Sequence, residues 1–128
     1  MSTICVIDDD VPALIAIEML LQSQGFDVRT FPSARDFFKA GPSDDIDCIL
    51  TDIEMPGGVT GLDLLAVVAK DSPDCPVVVM TGRGDGAYRS AARALGACDY
   101  LEKPFSAKTL VNAISKAMPP ASNIMAAE

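Results

Sequence analysis

The feature of this sequence that most constrains its fold is a regular alternation of two patterns. Short apolar runs rich in β-branched residues predict strands, and the segments between them, with apolar residues three and four positions apart, predict helices. Predicted strands cover residues 3–7, 26–31, 46–51, 76–80 and 98–101, and predicted helices cover residues 11–24, 34–40, 62–70, 85–95 and 106–118. This order implies right-handed βαβ crossovers, and therefore an α/β fold with a doubly wound, five-stranded parallel sheet and five helices.

Polar residues lie where several predicted helices begin. Ser33 and Ser106 are suited to accept a hydrogen bond from the first turn of the helix that follows each of them. We expect Asp10 or Asp9 to cap the first helix in the same way. Glycine, proline and serine at residues 41–43 predict a loop after the second helix.

Length and composition place the chain among globular proteins. With 128 residues it has the length of one domain, and we expect a domain over residues 1–118, followed by a tail or the start of a linker at residues 119–128. The sequence is 49% hydrophobic and 22% charged, which excludes a disordered chain. It has no histidine, which excludes catalytic triads built on imidazole and zinc sites of the HExxH type.

The cysteines and the N-terminal residues indicate a cellular compartment. Four cysteines lie in or beside apolar runs without forming a CxxC pair: Cys5, Cys48, Cys75 and Cys98. They predict reduced, buried thiols rather than a zinc ribbon or a thioredoxin-type redox site. Residues 11–21 form the longest apolar stretch, which Glu18 interrupts and which is about half the length needed to span a bilayer. Without a signal peptide pattern either, we expect a cytoplasmic protein that does not bind membranes.

The formal net charge of -8 is concentrated in one part of the chain. Residues 1–54 hold 11 acidic and 3 basic residues, whereas residues 55–128 hold 7 of each. An acidic surplus argues against direct binding of nucleic acid, but it is compatible with a cation site. Part of the surplus, at Asp44, Asp45 and Asp47, predicts a solvated loop to which we assign no function.

The residues that end the predicted strands indicate a site, because ligands of such sheets bind outside the carboxyl ends of the strands. These residues are three carboxylates, a hydroxyl with an adjacent glycine amide, and a lysine: Asp8, Asp9, Asp52, Thr81, Gly82 and Lys103. Carboxylates packed together repel unless a cation neutralises them, and hard oxygen ligands in an open site suit Mg²⁺. A lysine and a hydroxyl beside them would clamp a phosphoryl group, with a carboxylate as the natural nucleophile.

The same residues carry a resemblance to a known family. Four stretches resemble the receiver domain of two-component response regulators, in the family's order and spacing: residues 6–10, 50–56, 80–82 and 96–105. The resemblance runs from about Thr3 to Met118. It implies a flavodoxin-like sheet with strand order 2-1-3-4-5, and a signalling module of a His-Asp phosphorelay.

The resemblance also implies a role for each site residue. Asp52 would accept a phosphoryl group from a phosphohistidine on a histidine kinase or a histidine phosphotransfer protein. Mg²⁺ would be held by Asp9, Asp52 and the Glu54 backbone carbonyl, with Asp8 acting through water. Lys103 would pair with a phosphate oxygen, and Thr81 would donate its hydroxyl. Gly82 would donate its backbone amide to the phosphoryl group. Tyr100 would be the aromatic switch.

The resemblance further implies what the domain does with the phosphoryl group. It would catalyse only its own phosphorylation and dephosphorylation, and phosphorylation would change the face formed by the fourth helix, fifth strand and fifth helix. A phosphorylation-dependent dimer is compatible with such a change. The downstream protein or attached output domain is unknown. The Lys103–Pro104 bond is expected to be cis, as in such domains.

The sequence departs from the family pattern after Met55-Pro56. Four residues rather than three precede Gly61, and Thr60 stands where the family usually has an acidic residue. This predicts a longer and more flexible loop beside the acceptor. A separate hypothesis places Glu54 and Arg83 at the mouth of the pocket, where their pairing would hinder the hydrolytic water.

Two other functions are compatible with parts of the sequence. A small Mg²⁺-dependent phosphohydrolase with an aspartyl nucleophile would use the Asp-x-Asp spacing of Asp8 and Asp10, but the chain is too short for the cap domain that such enzymes need. A flavin binder would need a phosphate loop where this chain has three aspartates. Taken singly, Thr81 would be an ordinary strand-end residue, Tyr100 an ordinary half-buried aromatic and Lys103 a surface lysine.

Overall fold

The computed structural model describes residues 2–40, 45–55, 58–82 and 86–118. A parallel sheet of five strands has the order β2-β1-β3-β4-β5, which confirms the predicted α/β fold. In chain order the elements are β1 (Thr3–Ile7), α1 (Val11–Ser23), β2 (Asp27–Phe31), α2 (Ala34–Ala40), β3 (Cys48–Asp52), α3 (Gly61–Asp71), β4 (Val77–Thr81), α4 (Gly86–Ala94), β5 (Asp99–Glu102) and α5 (Ala107–Ala117). The boundaries of β1 and α2 are the predicted ones, and those of the other elements differ from the prediction by at most two residues.

The sheet is buried on both faces. Every residue of the three central strands, β1, β3 and β4, is buried, as expected for parallel strands between two helix layers. On one face, residues such as Val6 and Leu50 pack against α1 and α5. On the other face, Ile7 and Val79 pack against α2, α3 and α4. Two apolar layers therefore fix the strands, and with them the positions of the residues at the strand ends.

The predicted cap residues stand at the starts of three helices, and two of them accept a hydrogen bond there. Ser33 Oγ accepts the Asp36 amide and Ser106 Oγ accepts the Thr109 amide, each over 3.0 Å. Asp10 occupies the predicted cap position of α1, but its carboxylate accepts no hydrogen bond from the helix.

Two acidic residues predicted to lie in a solvated loop have structural partners. Asp47 Oδ2 accepts the Thr3 amide over 2.8 Å, which ties the segment before β3 to the start of β1. Asp45 forms an exposed ion pair with Arg29 of β2. Asp44 and the predicted loop at residues 41–43 lie outside the described residues, as does the predicted tail at residues 119–128.

The cysteines differ in exposure more than the sequence predicts. Cys5 and Cys48 are buried in the sheet and Cys75 is half-buried, but Cys98, just before the edge strand β5, is exposed. The prediction of buried thiols is therefore wrong for Cys98. Burial raises the pKa of Cys5 and of Cys48 to about 12, and that of Cys75 to about 11.

We expect Cys98 to react with a thiol reagent such as iodoacetamide well before the other three cysteines at mildly alkaline pH. The thiolate is the nucleophile, and burial keeps the other three thiols protonated and shielded. Mass spectrometry of the native protein over time should show one fast modification, which Cys98→Ser removes. Modification of all four cysteines of the native protein at one rate would contradict this expectation. As a control, the protein unfolded in guanidinium should be modified at similar rates at all four cysteines.

No described helix has the length and apolar composition to cross a membrane. The longest described helix, α1, has 13 residues, whereas a span needs about 20.

Candidate functional site

The predicted site residues lie together at the carboxyl edge of the sheet. Asp8 and Asp9 directly follow β1, and Asp52 and Thr81 are the last residues of β3 and β4. Lys103 directly follows β5. The chain leaves β1 into α1 on one face and β3 into α3 on the other, which opens a crevice between the ends of these two strands.

Lys103 joins the two buried carboxylates of this crevice. Its Nζ donates to Asp8 Oδ2 over 2.7 Å and to Asp52 Oδ2 over 2.9 Å. The remaining carboxylate oxygens accept backbone amides: Asp8 Oδ1 from Asp10 and Asp52 Oδ1 from Glu54, each over 3.0 Å. Both carboxylates are therefore held in fixed orientations, as a buried charge requires.

The environment shifts the pKa of Asp52 and of Lys103. Burial raises the pKa of Asp52 above its ordinary value, and the nearby Asp8 carboxylate adds to this, against the hydrogen bonds from Lys103 and the Glu54 amide. Partial burial alone would lower the pKa of Lys103, but its hydrogen bonds to Asp8 and Asp52 outweigh this, so its pKa is raised. Lys103 is therefore a charged ammonium at neutral pH.

Three carboxylates form a candidate cation site. Asp8, Asp9 and Asp52 each offer an oxygen, and these three oxygens lie within 4.8 Å of one another. Asp8 and Asp52 are buried, whereas Asp9 is exposed, so the cluster is reached from solvent on the Asp9 side. Among the described residues, Lys103 is the cation that bridges two of these acids, Asp8 and Asp52. One positive charge against three carboxylates leaves an excess of negative charge that a divalent cation would neutralise. The all-oxygen donor set fits a hard cation.

Glu54 and Thr81 make a contact that the sequence analysis missed. Thr81 is fully buried, and its Oγ1 donates to Glu54 Oε1 over 3.1 Å. The Thr81 carbonyl oxygen accepts the Lys103 amide over 2.7 Å, which ties β4 to the residue after β5. The predicted pairing of Glu54 with Arg83 stays a prediction, because Arg83 lies outside the described residues.

Tyr100 lies half-buried on β5, beside α4. The Arg89 guanidinium of α4 lies 5.1 Å from the centre of the Tyr100 ring, and it also pairs with Glu102 over 3.7 Å. This contact links α4 to β5 on the surface predicted to change with phosphorylation. The Lys103–Pro104 peptide bond, which follows β5, is cis, as expected.

The segment after β3 begins helix α3 through a capping box. The Thr60 hydroxyl accepts the Asp63 amide over 3.2 Å, and Asp63 Oδ2 accepts the Thr60 amide over 2.9 Å. Thr60 thus starts the helix. Gly58 adopts a φ of 81°, which favours glycine, while the preceding two residues, 56–57, lie outside the described residues.

Fold and site together define a doubly wound α/β domain whose acidic crevice holds a lysine and can take a cation. Residues 4–115 match the family model of the response regulator receiver domain. The chain therefore belongs to the receiver domain family of response regulators, whose members are signalling modules.

Relatives and solved structures agree with this assignment. The transcriptional regulatory protein FixJ of Bradyrhizobium diazoefficiens is 38% identical over 115 residues, a match that covers 90% of this chain and 56% of FixJ. A receiver domain protein from Clostridium thermocellum is 33% identical, with a TM-score of 0.86 over 97% of this chain and 99% of that one. The crystal structure of FixJ-N is 31% identical, with a TM-score of 0.81 over 91% of this chain and 93% of that one. The chain spans about half the length of the curated relatives it matches.

Proposed function

We propose that this domain is the phosphoacceptor of a two-component phosphorelay and that Asp52 receives the phosphoryl group. The observation that carries the proposal is the Lys103 ammonium, which contacts the Asp52 carboxylate at the open end of an acidic crevice. The donor would be a phosphohistidine on a histidine kinase or a histidine phosphotransfer protein, since this chain has no histidine of its own.

The transfer would proceed by attack of an Asp52 carboxylate oxygen on the phosphorus atom. A P–O bond forms, the P–N bond to the donor imidazole breaks, and the product is an acyl phosphate on Asp52. Lys103, 2.9 Å from Asp52 Oδ2, would then pair with a phosphoryl oxygen. Thr81 and the Gly82 amide would supply further donors, because both lie at the end of β4 beside Asp52.

Mg²⁺ would be held by Asp9, Asp52 and the Glu54 backbone carbonyl, with Asp8 acting through water. Bound there, it would neutralise charge that develops on the transferred phosphoryl oxygens. The close approach of the three carboxylates supports this assignment. Because an aquated Mg²⁺ ion keeps several waters, the exposed side of the cluster at Asp9 is also suited to its entry.

The phosphorylated domain would act through its surface rather than on a metabolite. Acyl phosphate formation and hydrolysis would be its only chemistry, and the face of α4, β5 and α5, including Tyr100, would change. Relatives such as FixJ are transcriptional regulators, which supports an attached or separate output function in the cytoplasm. A phosphorylation-dependent dimer is part of the same proposal. No observation favours a phosphohydrolase.

We expect Asp52→Asn to abolish phosphorylation by acetyl phosphate with Mg²⁺. The amide is a poor nucleophile and cannot form the acyl phosphate. Intact-protein mass spectrometry would measure the fraction carrying one phosphoryl group. Asp10→Asn is the matched control, because Asp10 is exposed and lies outside the carboxylate cluster, and it should be labelled like the wild type. Stoichiometric labelling of Asp52→Asn would refute the assignment, and multiple turnovers of a phosphomonoester would favour the phosphohydrolase.

We expect Mg²⁺ to raise the unfolding temperature of the wild type, and Asp9→Asn to remove most of this effect. A ligand at one hundred times its dissociation constant stabilises the native state by about 2.7 kcal/mol. Asp9 is exposed, so its substitution removes the negative charge and one carboxylate oxygen without disturbing the core. Calorimetry at increasing Mg²⁺ concentrations would measure the shift, with Asp10→Asn again as the control. A full shift in Asp9→Asn would contradict the predicted ligand set.

A further inference from the structure

The Thr81 hydroxyl already has a partner in this structure. It is fully buried and donates to Glu54 Oε1 over 3.1 Å. A hydroxyl carries a single proton, so Thr81 cannot donate to Glu54 and to a phosphoryl oxygen on Asp52 at the same time. The hydrogen bond that the phosphorylated domain needs from Thr81 therefore competes with one that the chain makes on its own.

Backbone hydrogen bonds hold both ends of this contact in place. The Thr81 carbonyl oxygen accepts the Lys103 amide over 2.7 Å, and the Glu54 amide donates to Asp52 Oδ1 over 3.0 Å. Either backbone segment would have to break these bonds in order to move. A change of partner for the Thr81 hydroxyl is therefore a rotation of the Thr81 and Glu54 side chains.

Charge decides which partner the hydroxyl takes in each state. The hydrogen bond to Glu54 has a carboxylate acceptor, which makes it stronger than a neutral one. Phosphorylation would replace the single negative charge of the Asp52 carboxylate by about two on the phosphoryl group, a gain of about one beside Glu54. The Glu54 side chain is only half-buried, so repulsion can drive its carboxylate outward into solvent. The phosphoryl oxygens then replace it as acceptors for Thr81.

We propose that Glu54 is a positioning residue that holds the Thr81 hydroxyl in its unphosphorylated arrangement and must release it before Thr81 can bind the phosphoryl group. Glu54 thereby opposes the phosphorylated arrangement and sets how readily the domain adopts it. This inference rests on the proposed role of Asp52 as phosphoacceptor.

A double-substitution cycle tests the coupling between the two residues. The probe is beryllofluoride with Mg²⁺, since BeF₃ activates the receiver domain of DrrB. Calorimetry would measure its affinity for the wild type, Glu54→Ala, Thr81→Val and the double variant. We expect Glu54→Ala to bind about tenfold more tightly, which corresponds to about 1.4 kcal/mol. In Thr81→Val there is no hydroxyl for Glu54 to hold, so Glu54→Ala should raise the affinity less than about threefold in this background. This smaller increase is due to the loss of charge repulsion alone.

Glu54→Gln separates the hydrogen bond from the charge, because its amide oxygen accepts a hydrogen bond at similar reach. Its affinity should lie between those of the wild type and Glu54→Ala. NMR three-bond couplings in metal-free protein should show the Thr81 rotamer of the wild type redistributed in Glu54→Ala. An equal gain from Glu54→Ala in both backgrounds, or equal affinities of the Gln and Ala variants, would overturn the role of Glu54.

Asp52→Asn separates failure of this inference from failure of the proposed function. Beryllofluoride should bind the wild type and not Asp52→Asn. If it binds neither, or both equally, the role of Asp52 as acceptor fails. If it binds only the wild type while Glu54→Ala has unchanged affinity, the phosphoacceptor role stands and the role of Glu54 alone is refuted.

Discussion

Replacing Lys103 by methionine is expected to lower the free energy of unfolding of the metal-free protein at neutral pH by about 3 kcal/mol, and to abolish measurable phosphorylation. The Lys103 ammonium contacts Asp8 Oδ2 and Asp52 Oδ2, and both carboxylates are buried. Methionine keeps the approximate length of the side chain but leaves two buried carboxylates facing each other without a cation. Urea unfolding and phosphorylation by acetyl phosphate would measure the two effects.

The pH dependence of this loss distinguishes lost charge from lost packing. The pKa of Lys103 is raised above 10.5, so its contribution in the wild type is fully present below 10.5 and is lost as the pH rises through its folded value. The pKa of Asp52 is raised above 3.8, so as the pH falls Asp52 is protonated in the native state before it is protonated in the unfolded state. Protonation removes the repulsion between Asp52 and Asp8. The deficit of Lys103→Met should therefore shrink in acid.

The double variant Lys103→Met/Asp8→Asn is the control for this prediction. Removing the Asp8 charge relieves the repulsion, so the double variant should recover most of the stability that Lys103→Met loses at neutral pH. Phosphorylation should remain absent, because the cation that pairs with the phosphoryl group is still missing. A deficit of Lys103→Met that is the same at every pH, or that Asp8→Asn leaves unchanged, would assign the effect to packing.

The site was predictable from sequence to the extent that it depends on the strand ends. In a parallel sheet the carboxyl ends of all strands share one edge, so strand boundaries alone bring Asp8, Asp52 and Lys103 together. An error of one residue in a boundary moves a side chain to the other face of the sheet, but not to another edge. The prediction that these residues lie together therefore holds, although the observed bounds of helices and strands differ slightly from the predicted ones.

The sequence pattern does not predict details that depend on the direction of a side chain or on an individual hydrogen bond. The sequence predicts that Glu54 lies at the pocket, but its contact with Thr81 depends on the rotamers of two side chains. The composition around Cys98 is that of a buried strand, whereas its position before an edge strand leaves it exposed. Asp10 is in the right place to cap α1, but a hydrogen bond from its carboxylate to the helix depends on its rotamer.

The segment with altered spacing after Met55 also has features that the sequence predicts and features that it does not. The sequence predicts a longer loop and a change at Thr60, yet it does not show that Thr60 and Asp63 form a capping box. Nor does it show how closely the start of α3 approaches β3. The Gly61 amide donates to the Ile53 carbonyl oxygen over 2.9 Å, which holds the first residue of α3 against the backbone that carries Asp52. Gly61 is therefore where the altered segment is most tightly tied to the site.

We expect Gly61→Ala to lower the free energy of unfolding by about 3 kcal/mol and to slow phosphorylation by about a hundredfold. A Cβ atom at Gly61 would lie 2.2 Å from the Asp52 carbonyl oxygen and 2.7 Å from Ile53 Cα. These are backbone atoms, so no side chain can rotate away, and either α3 or the end of β3 must shift. A shift of β3 displaces Asp52 relative to Lys103. Urea unfolding and the rate of labelling by acetyl phosphate measure the two effects.

Gly86→Ala is the matched control, because Gly86 is also the first residue of a helix. A Cβ atom there meets none of the described residues within 4 Å, and its φ is not in the left-handed region. Alanine should leave the labelling rate unchanged and stabilise the protein by about 0.4–1 kcal/mol, because it restricts the unfolded chain. If Gly61→Ala were as benign as Gly86→Ala, the start of α3 would not lie against β3 and the position of Asp52 would not depend on a glycine there. If both variants lost stability equally, the loss would reflect alanine at a helix start and not contact with Asp52.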